Sequence, residues 1–270
     1  MLAASCGEDE PLLHLFNWLI RHNATLSPKL EMRCSSSFNR GVFVTSNSSI
    51  ETGAELATVP LFLLMTLERA MQEPALSASG ARGTNLIALF LLQQRADPSS
   101  FWHPYAAALP KEISTTLAWS EAELAELQAS ELRLHALQRA RAVDRHWRAL
   151  PPALRGTIND WAWALTQVWS RGHTVGKQGV LPPLIDMFNN GPQANVGPAR
   201  IENDTLVVRA TRPMQPGEEA TVPYGNSATP LPNQRLMVRN GDADQDRTPE
   251  HELLRAPESH LPSLLDSTLR

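Results

Sequence analysis

The sequence predicts an α+β protein in which short strands at both ends flank a long helical middle. Two early segments, 41–45 and 55–59, are rich in β-forming residues and are separated by a turn-prone stretch. Helical periodicity dominates from about residue 65 to 168, and strand patterns return at 206–210 and 220–222. A chain of 270 residues is long enough to bury one large core or two small ones.

In chain order, the first predicted helix covers residues 11–22, where apolar side chains recur at helical spacing and Pro11 suits the first turn. Thr84 is predicted to cap a second helix. The apolar residues of that helix lie on nearly all sides, so we expect it to be buried.

Two further helices follow before the strands return. Ser120 and Glu123 form a capping box for a long helix that has a polar face and reaches about Arg141. The next helix has its apolar residues on one face and should end near Arg171. The two C-terminal strands are joined by the proline- and glycine-containing turn 215–218.

The two β-rich parts of the chain share a local pattern, seen at 50–60 and at 214–223. Each has an apolar anchor, a glycine turn and a strand that ends at proline. One such match is weak support for an internal repeat, because turn chemistry alone produces it.

Composition is typical of a globular protein and disfavours several ligand classes. Hydrophobic residues make up 42% and charged residues 19%, which is neither a disordered nor a coiled-coil composition. The 24 basic and 28 acidic side chains give a net charge of -4 and no broad basic surface for nucleic acid. The 2 cysteines are too few for a disulfide framework or a four-thiolate zinc site. We therefore expect no nucleic-acid partner, no metal and a reducing compartment.

No feature of the sequence indicates a membrane protein. The longest apolar stretch, 56–65, contains Pro60 and is far shorter than the ~20 residues needed to cross a bilayer. The acidic segment 8–10 precedes the first apolar run, which is the reverse of a signal peptide and also disfavours a transit peptide. We expect no membrane partner and a cytoplasmic or nuclear protein, with a plastid location left open.

Standard catalytic motifs are missing from the sequence. No G-x-G-x-x-G follows a strand, and no G-x-S-x-G is present. His251-Glu252 lacks the second histidine of a zincin helix. The sequence therefore carries no standard motif for a nucleotide, zinc or acyl-transfer site.

Polar and special residues are concentrated between residues 168 and 225. They occur as four short motifs: Ser170-Arg171, the segment from Asp186 to Asn190, Gly217-Glu218-Glu219 and Tyr224-Gly225. Their order and spacing resemble the C-terminal half of a SET-domain protein methyltransferase of the Rubisco large-subunit lysine methyltransferase type. In that family a Ser-Arg ends a helix, an Asp-x-x-Asn-His segment follows, and a Gly-Glu turn leads to Tyr-Gly.

The resemblance extends upstream and covers about residues 11 to 241. Asn39-Arg40-Gly41-Val42 is similar to the family's first strands, where a Gly-Arg-Gly turn is common. The segments 101–110 and 119–124, which read FWHPYAAALP and WSEAEL, are similar to the helical insertion that splits the SET domain in this family.

The resemblance implies a SET domain of small twisted sheets, with a knot-like crossing near Asn189 and Tyr224, interrupted by a helical insertion. The implied division of the chain is an N-terminal SET half at 11–66, a helical insertion at 67–160 and a C-terminal SET half at 161–241. The composition after Gly241 predicts a disordered tail at 242–270. The implied activity is methyl transfer from S-adenosylmethionine to a lysine of a protein substrate. We expect the protein to be a monomer.

The family's functional residues carry over by motif. Arg171 would pair with the methionine carboxylate of the cofactor, a task suited to a guanidinium. The turn Asn39, Arg40 and Gly41 would touch the same end of the cofactor. The neighbouring amides of Asn189 and Asn190 would hold its adenine and amino groups. Asn190 takes the place of the customary histidine.

Two more residues complete the predicted site. Tyr224 would lie beside the transferring methyl group and orient the amine, which must be neutral to attack. Asp186 is assigned to the cofactor site, with capping of the following turn as its alternative role. Methyl transfer is an in-line displacement, so positioning supplies most of the catalysis.

The chain departs from the family after Tyr224-Gly225. The family continues to an Asn-Tyr-Gly-Phe segment that walls the lysine channel, whereas this chain reads Arg239-Asn240-Gly241-Asp242. We also expect that it lacks the family's C-terminal lobe, which grips the protein substrate. Two alternatives therefore stay open: a non-catalytic SET-like module that binds a partner protein, and a protein-histidine N-methyltransferase.

Overall fold

A computed structural model of the chain describes residues 10–34, 40–111, 115–128, 131–175, 178–191, 193–223, 225–226 and 229–230. Its helices are α1 Glu10–Arg21, α2 Leu67–Gln72, α3 Pro74–Ser77, α4 Gly83–Ala96, α5 His103–Ala108, α6 Glu121–Glu126, α7 Glu131–Ala149, α8 Pro152–Arg155 and α9 Ile158–Arg171. Its strands are β1 Thr25–Leu26, β2 Leu30–Cys34, β3 Arg40–Val44, β4 Glu55–Pro60, β5 Met65–Thr66, β6 His173–Val175, β7 Gln178–Leu181, β8 Asn189–Asn190, β9 Arg200–Glu202, β10 Thr205–Arg209, β11 Thr221–Val222, β12 Gly225–Asn226 and β13 Thr229–Pro230.

The largest sheet joins the two ends of the described chain. Its strand order is β1-β4-β10-β9, with every neighbouring pair antiparallel. Strand β4 from the first β-rich segment pairs with β10 from the second, with Val59 opposite Leu206. Both of these side chains are fully buried. The strands predicted from β-forming residues on either side of the helical middle therefore share one core.

Smaller sheets surround this one. Strands β2 and β3 form an antiparallel pair, and β5, β7 and β6 form a three-stranded sheet. Strands β8 and β11 are parallel, with Asn189 opposite Thr221 and Asn190 opposite Val222. This parallel pair brings β8 beside β11, a strand from a later part of the chain.

The helices from α2 to α9 occupy the described part of the chain between β5 and β6. Helix α4 is buried on most sides, as its composition predicts, and it packs against α9. Trp161 of α9 is fully buried. The predicted boundary at residue 160 lies inside α9, so the predicted division would split one helix. No helix in the described ranges combines the length and apolar character needed to span a membrane.

Two helix-start predictions have different outcomes. Ser120 and Glu123 form the predicted capping box at the start of α6. The prediction for Thr84 is wrong, because the residue preceding α4 is Arg82, which makes no side-chain cap. Gly83 has a positive φ of 52°, so a glycine turn sets the start of α4 and Thr84 falls inside its first turn.

The long helix predicted to run from Ser120 to about Arg141 is two helices. Helix α6 ends at Glu126, and Gln128 has the left-handed φ of 51°. The Gln128 backbone N–H donates to the Ala125 carbonyl oxygen at 2.8 Å, which closes a turn and ends the helix. Apolar residues keep their helical spacing across this break, and the periodicity therefore did not reveal it.

The two copies of the shared 50–60 and 214–223 pattern meet in the fold. Ile50 and Met214 form an antiparallel bridge, with N–H to O distances of 3.1 and 2.9 Å. Gly53 and Gly217 have similar positive φ angles of 82° and 79°. Both turns therefore require the conformational freedom of glycine.

Candidate functional site

Arg171 lies at the C-terminal end of α9, where its side chain reaches the turn after β7. Its Nε donates to Gln167 Oε1 at 3.0 Å, one helical turn back. Its Nη1 donates to the Asp186 carbonyl oxygen at 3.3 Å and to Asp186 Oδ2 at 3.4 Å. The Arg171 side chain keeps 21% of its surface exposed. The guanidinium is therefore anchored through Nε and Nη1, and the side chain is partly exposed.

Asp186 lies within a 3-10 turn, Ile185–Met187, and its side chain has no solvent exposure. Its Oδ2 accepts a hydrogen bond from the Tyr105 hydroxyl at 2.9 Å. Its Oδ1 is buried without a hydrogen-bond partner among the described residues. Burial raises the pKa of Asp186, and the charge of Arg171 and the Tyr105 hydrogen bond oppose that rise. The pKa of Tyr105 is well above its usual value because of its burial and the Asp186 charge.

Asn189 begins β8, three residues after Asp186. Its Nδ2 donates to the Arg40 carbonyl oxygen and to Glu219 Oε1, both at 2.8 Å. Both of these neighbours are acceptors, so the amide nitrogen must face them. The Asn189 amide has two N–H groups, and both are used. Its Oδ1 therefore remains as an acceptor for a ligand donor.

Gly41 lies in β3 against the same two side chains. A Cβ at this position would overlap Glu219 Oε1 and would lie 2.9 Å from Phe43 Cε2 and 3.0 Å from Asn189 Nδ2. Strand β3 also meets the 218–220 segment through a bridge between Phe43 and Glu219. Any larger residue at 41 would therefore displace these side chains.

The remaining predicted residues have different placements. Arg40 Nη1 donates to the Ala108 carbonyl oxygen at 2.8 Å, which ties β3 to the end of α5. Asn190 is exposed, and its backbone lies opposite Val222 in the parallel pair. Asn39 and Tyr224 lie outside the described residues, as does the segment 239–242 where the chain departs from the family pattern.

The structure thus places five of the predicted residues in two contacting groups: Arg171 with Asp186, and Arg40 and Gly41 with Asn189. The sequence did not predict three residues that bind them: Tyr105, which binds Asp186, Gln167, which binds Arg171, and Glu219, which binds Asn189. Gln167 could have been found, because it precedes Arg171 by one helical turn.

A metal centre is not formed by the residues described. Within these ranges, no group of three or more His, Cys, Asp or Glu side chains is arranged to hold an ion.

Comparison with known proteins gives related sequences and solved folds, although no protein-family model matches the chain. Over 208 residues it is 30% identical to the actin-histidine N-methyltransferase of Canis lupus familiaris, a match that covers 68% of this chain and 35% of that protein. It is 28% identical to the Xenopus tropicalis protein of the same name over the same length and coverage. The match spans about a third of the length of these relatives.

Solved structures agree on the fold. The SET domain of LSMT bound to lysine and AdoHcy matches with a TM-score of 0.74 and 20% identity, covering 87% of this chain and 57% of that one. Rubisco LSMT bound to AdoMet matches with a TM-score of 0.72 and 20% identity, covering 85% and 55%. The chain therefore has the SET-domain fold, and the predicted fold class and the resemblance are confirmed.

Proposed function

We propose, from the SET-domain fold of the chain, that it is an S-adenosylmethionine-dependent protein N-methyltransferase. The observation that carries this proposal is a pair of neighbouring contacts: Arg171 binds Asp186, and Asn189, three residues further along the chain, binds the Arg40 backbone. The related sequences are named as protein methyltransferases and the similar solved structures hold AdoMet or AdoHcy, which supports the same conclusion.

The residues of the site fit the amino-acid end of this cofactor. A carboxylate is suited to a guanidinium on a partly exposed side chain, which Arg171 supplies. An ammonium group needs acceptors, and Asn189 Oδ1 is an acceptor because both donors of its amide are engaged. The absence of a side chain at Gly41 keeps Glu219 and Asn189 in contact beside the β3 backbone. When bound, the cofactor supplies a methyl group on a sulfonium sulfur.

The protein's own contribution is to position the reactants and exclude water. The attacking nitrogen must be neutral, and a lysine amine with a usual pKa of about 10.4 loses its proton more readily in an apolar channel. We assign Tyr224 to orienting that nitrogen. Holding the reacting atoms in line contributes about 7–11 kcal/mol in well-oriented reactions.

Two residue types are candidates for the side chain that accepts the methyl group. Lysine is our first candidate, since the chain has the motif order of the lysine methyltransferases and shares the fold of LSMT bound to lysine. Histidine is the second candidate. It is favoured by the 30% identity to an actin-histidine N-methyltransferase, compared with 20% for the lysine-bound structure.

A titration and a transfer assay test the proposal. Calorimetry with S-adenosylmethionine measures binding, and transfer of a radiolabelled methyl group to a whole-cell extract measures activity. Binding with label in protein supports the enzyme, whereas binding without label supports the non-catalytic module. A chain that binds no cofactor contradicts both the cofactor site and the enzyme. Mass spectrometry of labelled peptides then assigns the methyl group to lysine or histidine.

A further inference from the structure

Helix α5 and the two residues after it touch the candidate site at three points. The Tyr105 hydroxyl donates to Asp186 Oδ2 at 2.9 Å. The Ala108 carbonyl oxygen accepts from Arg40 Nη1 at 2.8 Å. The Pro110 carbonyl oxygen accepts from Nε2 of Gln167, the residue whose Oε1 holds Arg171 Nε. A segment of the helical insertion thus supports side chains from both halves of the SET domain.

Of these three contacts, the one from Tyr105 is made by a side chain, and its partner Asp186 is an ionisable carboxyl group. Its ring and hydroxyl are completely buried, and Asp186 Oδ2 is the partner of its hydroxyl. The charged and titratable groups that act on Asp186 are Arg171 from α9 and Tyr105 from α5. Asp186 Oδ1 has no partner in the described structure, so these two are the side-chain donors that compensate the buried carboxyl group, together with a backbone hydrogen bond.

The Tyr105 hydroxyl also affects the contact between Arg171 and Asp186. Asp186 Oδ2 accepts from both Tyr105 and Arg171, and the Arg171 contact is the longer at 3.4 Å. The described residues provide no acceptor for Arg171 Nη2, which leaves this nitrogen available to a ligand carboxylate. Without the hydroxyl, the carboxylate would have to draw the guanidinium closer or take up a proton.

We propose that Tyr105 is a positioning residue whose hydroxyl holds Asp186, and through it the Arg171 guanidinium, in the arrangement that binds the cofactor carboxylate. This inference rests on the function proposed above. It assigns a role in the cofactor site to segment 101–110, which the sequence identifies only as part of the helical insertion.

The test measures S-adenosylhomocysteine binding by calorimetry between pH 5.5 and 8.5 for the wild-type chain, Y105F and T166V. Thr166 also has a buried hydroxyl, which has no hydrogen-bond partner among the described residues, so T166V is a control for removing a buried hydroxyl. We expect Y105F to bind about tenfold more weakly at pH 7.5, the effect of one charge-assisted hydrogen bond. We expect T166V to match the wild-type chain.

The pH dependence separates positioning from a structural role. The Tyr105 hydrogen bond lowers the pKa of Asp186, so its removal should raise that pKa further. The break in log Kd against pH should therefore move to higher pH in Y105F. A lower melting temperature with an unmoved break and unchanged affinity would overturn the inference while leaving the proposed function intact. A wild-type chain that fails to bind would overturn both.

A second variant keeps the test decisive if Y105F does not fold. D186N should abolish the break in the pH profile, and persistence of the same break would overturn the inference. Where Y105F folds, adding it to D186N should change affinity by less than about twofold. The reason is that the side chain at position 186, which the Tyr105 hydroxyl binds, is then an uncharged amide. An equal loss in both backgrounds would show that Tyr105 acts independently of Asp186.

Discussion

The side-chain amide of Asn189 donates a 2.8 Å hydrogen bond to the backbone carbonyl of Arg40, a residue 149 positions earlier in the chain. The same amide binds Glu219, which lies 30 positions later. One side chain therefore joins β3, β8 and the segment that precedes β11. The candidate site is assembled by contacts between distant parts of the chain, and this geometry leads to the following predictions.

Replacing Glu219 by alanine should weaken cofactor binding. The Asn189 amide would keep only the Arg40 carbonyl as a partner and could rotate, so its Oδ1 would no longer be held as an acceptor. Loss of a hydrogen bond to a charged group costs about 1.5–3 kcal/mol, and we expect the affinity for S-adenosylhomocysteine to fall about tenfold. Isothermal titration calorimetry measures this change.

The neighbouring glutamate provides the control for that prediction. Glu218 accepts hydrogen bonds from Asn195 Nδ2 and the Gln215 backbone, and it pairs with Arg212, away from Asn189. E218A should therefore alter stability without a comparable change in affinity. Equal losses of affinity in E218A and E219A would contradict a specific role for Glu219.

Replacing Gly41 by alanine should disturb the site through crowding. The new Cβ would overlap Glu219 Oε1 and press on Asn189 Nδ2. Overpacking of this kind costs about 1–3 kcal/mol, so urea unfolding should show a less stable chain with weaker cofactor binding. At Gly179 in β7, no atom lies within 4 Å of an added Cβ. G179A should leave both quantities nearly unchanged, and a similar response of the two variants would argue against crowding at 41.

The sequence was most informative where local chemistry sets the structure. The predicted strands at 41–45, 55–59, 206–210 and 220–222 differ from β3, β4, β10 and β11 by at most one residue at either end. The first predicted helix, 11–22, is shifted by one residue in the same way. Periodicity and turn residues define these elements, and both are visible without knowledge of tertiary contacts.

The partners of the site residues could not be predicted in the same way. Motif order identified Arg171, Asp186 and Asn189, but the residues that hold them come from distant elements. Tyr105 lies 81 positions before Asp186, and nothing local in the sequence indicates that its hydroxyl points there. Glu219 follows a glycine turn and has the character of an ordinary strand residue. Such pairings depend on how α5, β3 and β11 pack, which periodicity does not encode.

The pH dependence of stability should reveal the buried carboxyl group of Asp186. Burial raises its pKa in the folded chain above the value of about 3.9 that an unfolded aspartate has. As pH rises between these values, the unfolded chain releases its proton and the folded chain keeps it, so this group lowers stability progressively. The D186N variant has no such proton. Its stability relative to the wild-type chain should therefore rise from about pH 4 upward and level off above the folded pKa.

Urea unfolding at a series of pH values measures the difference in stability between D186N and the wild-type chain. Asp97 is a control, because its pKa is shifted in the opposite direction. Asp97 is exposed, and hydrogen bonds from Ser99 lower its pKa. Its contribution to stability is present above the unfolded pKa and is lost as pH falls, so the stability of D97N relative to wild type should not rise with pH. A flat difference for D186N would show that Asp186 titrates normally in the folded chain.

The chain has two tyrosines, Tyr105 and Tyr224, and substitution by phenylalanine should affect them in opposite ways. Because we assign Tyr224 to orienting the attacking nitrogen, Y224F should lower methyl transfer about a hundredfold, within the range found for positioned catalytic groups. Its affinity for S-adenosylhomocysteine should stay close to that of the wild-type chain. Y105F should instead weaken cofactor binding, because Tyr105 acts through Asp186 and Arg171. Single-turnover transfer at saturating cofactor, combined with calorimetry, separates the two effects. If Y224F loses cofactor affinity in parallel with transfer, Tyr224 belongs to the binding of the cofactor and not to the orientation of the amine.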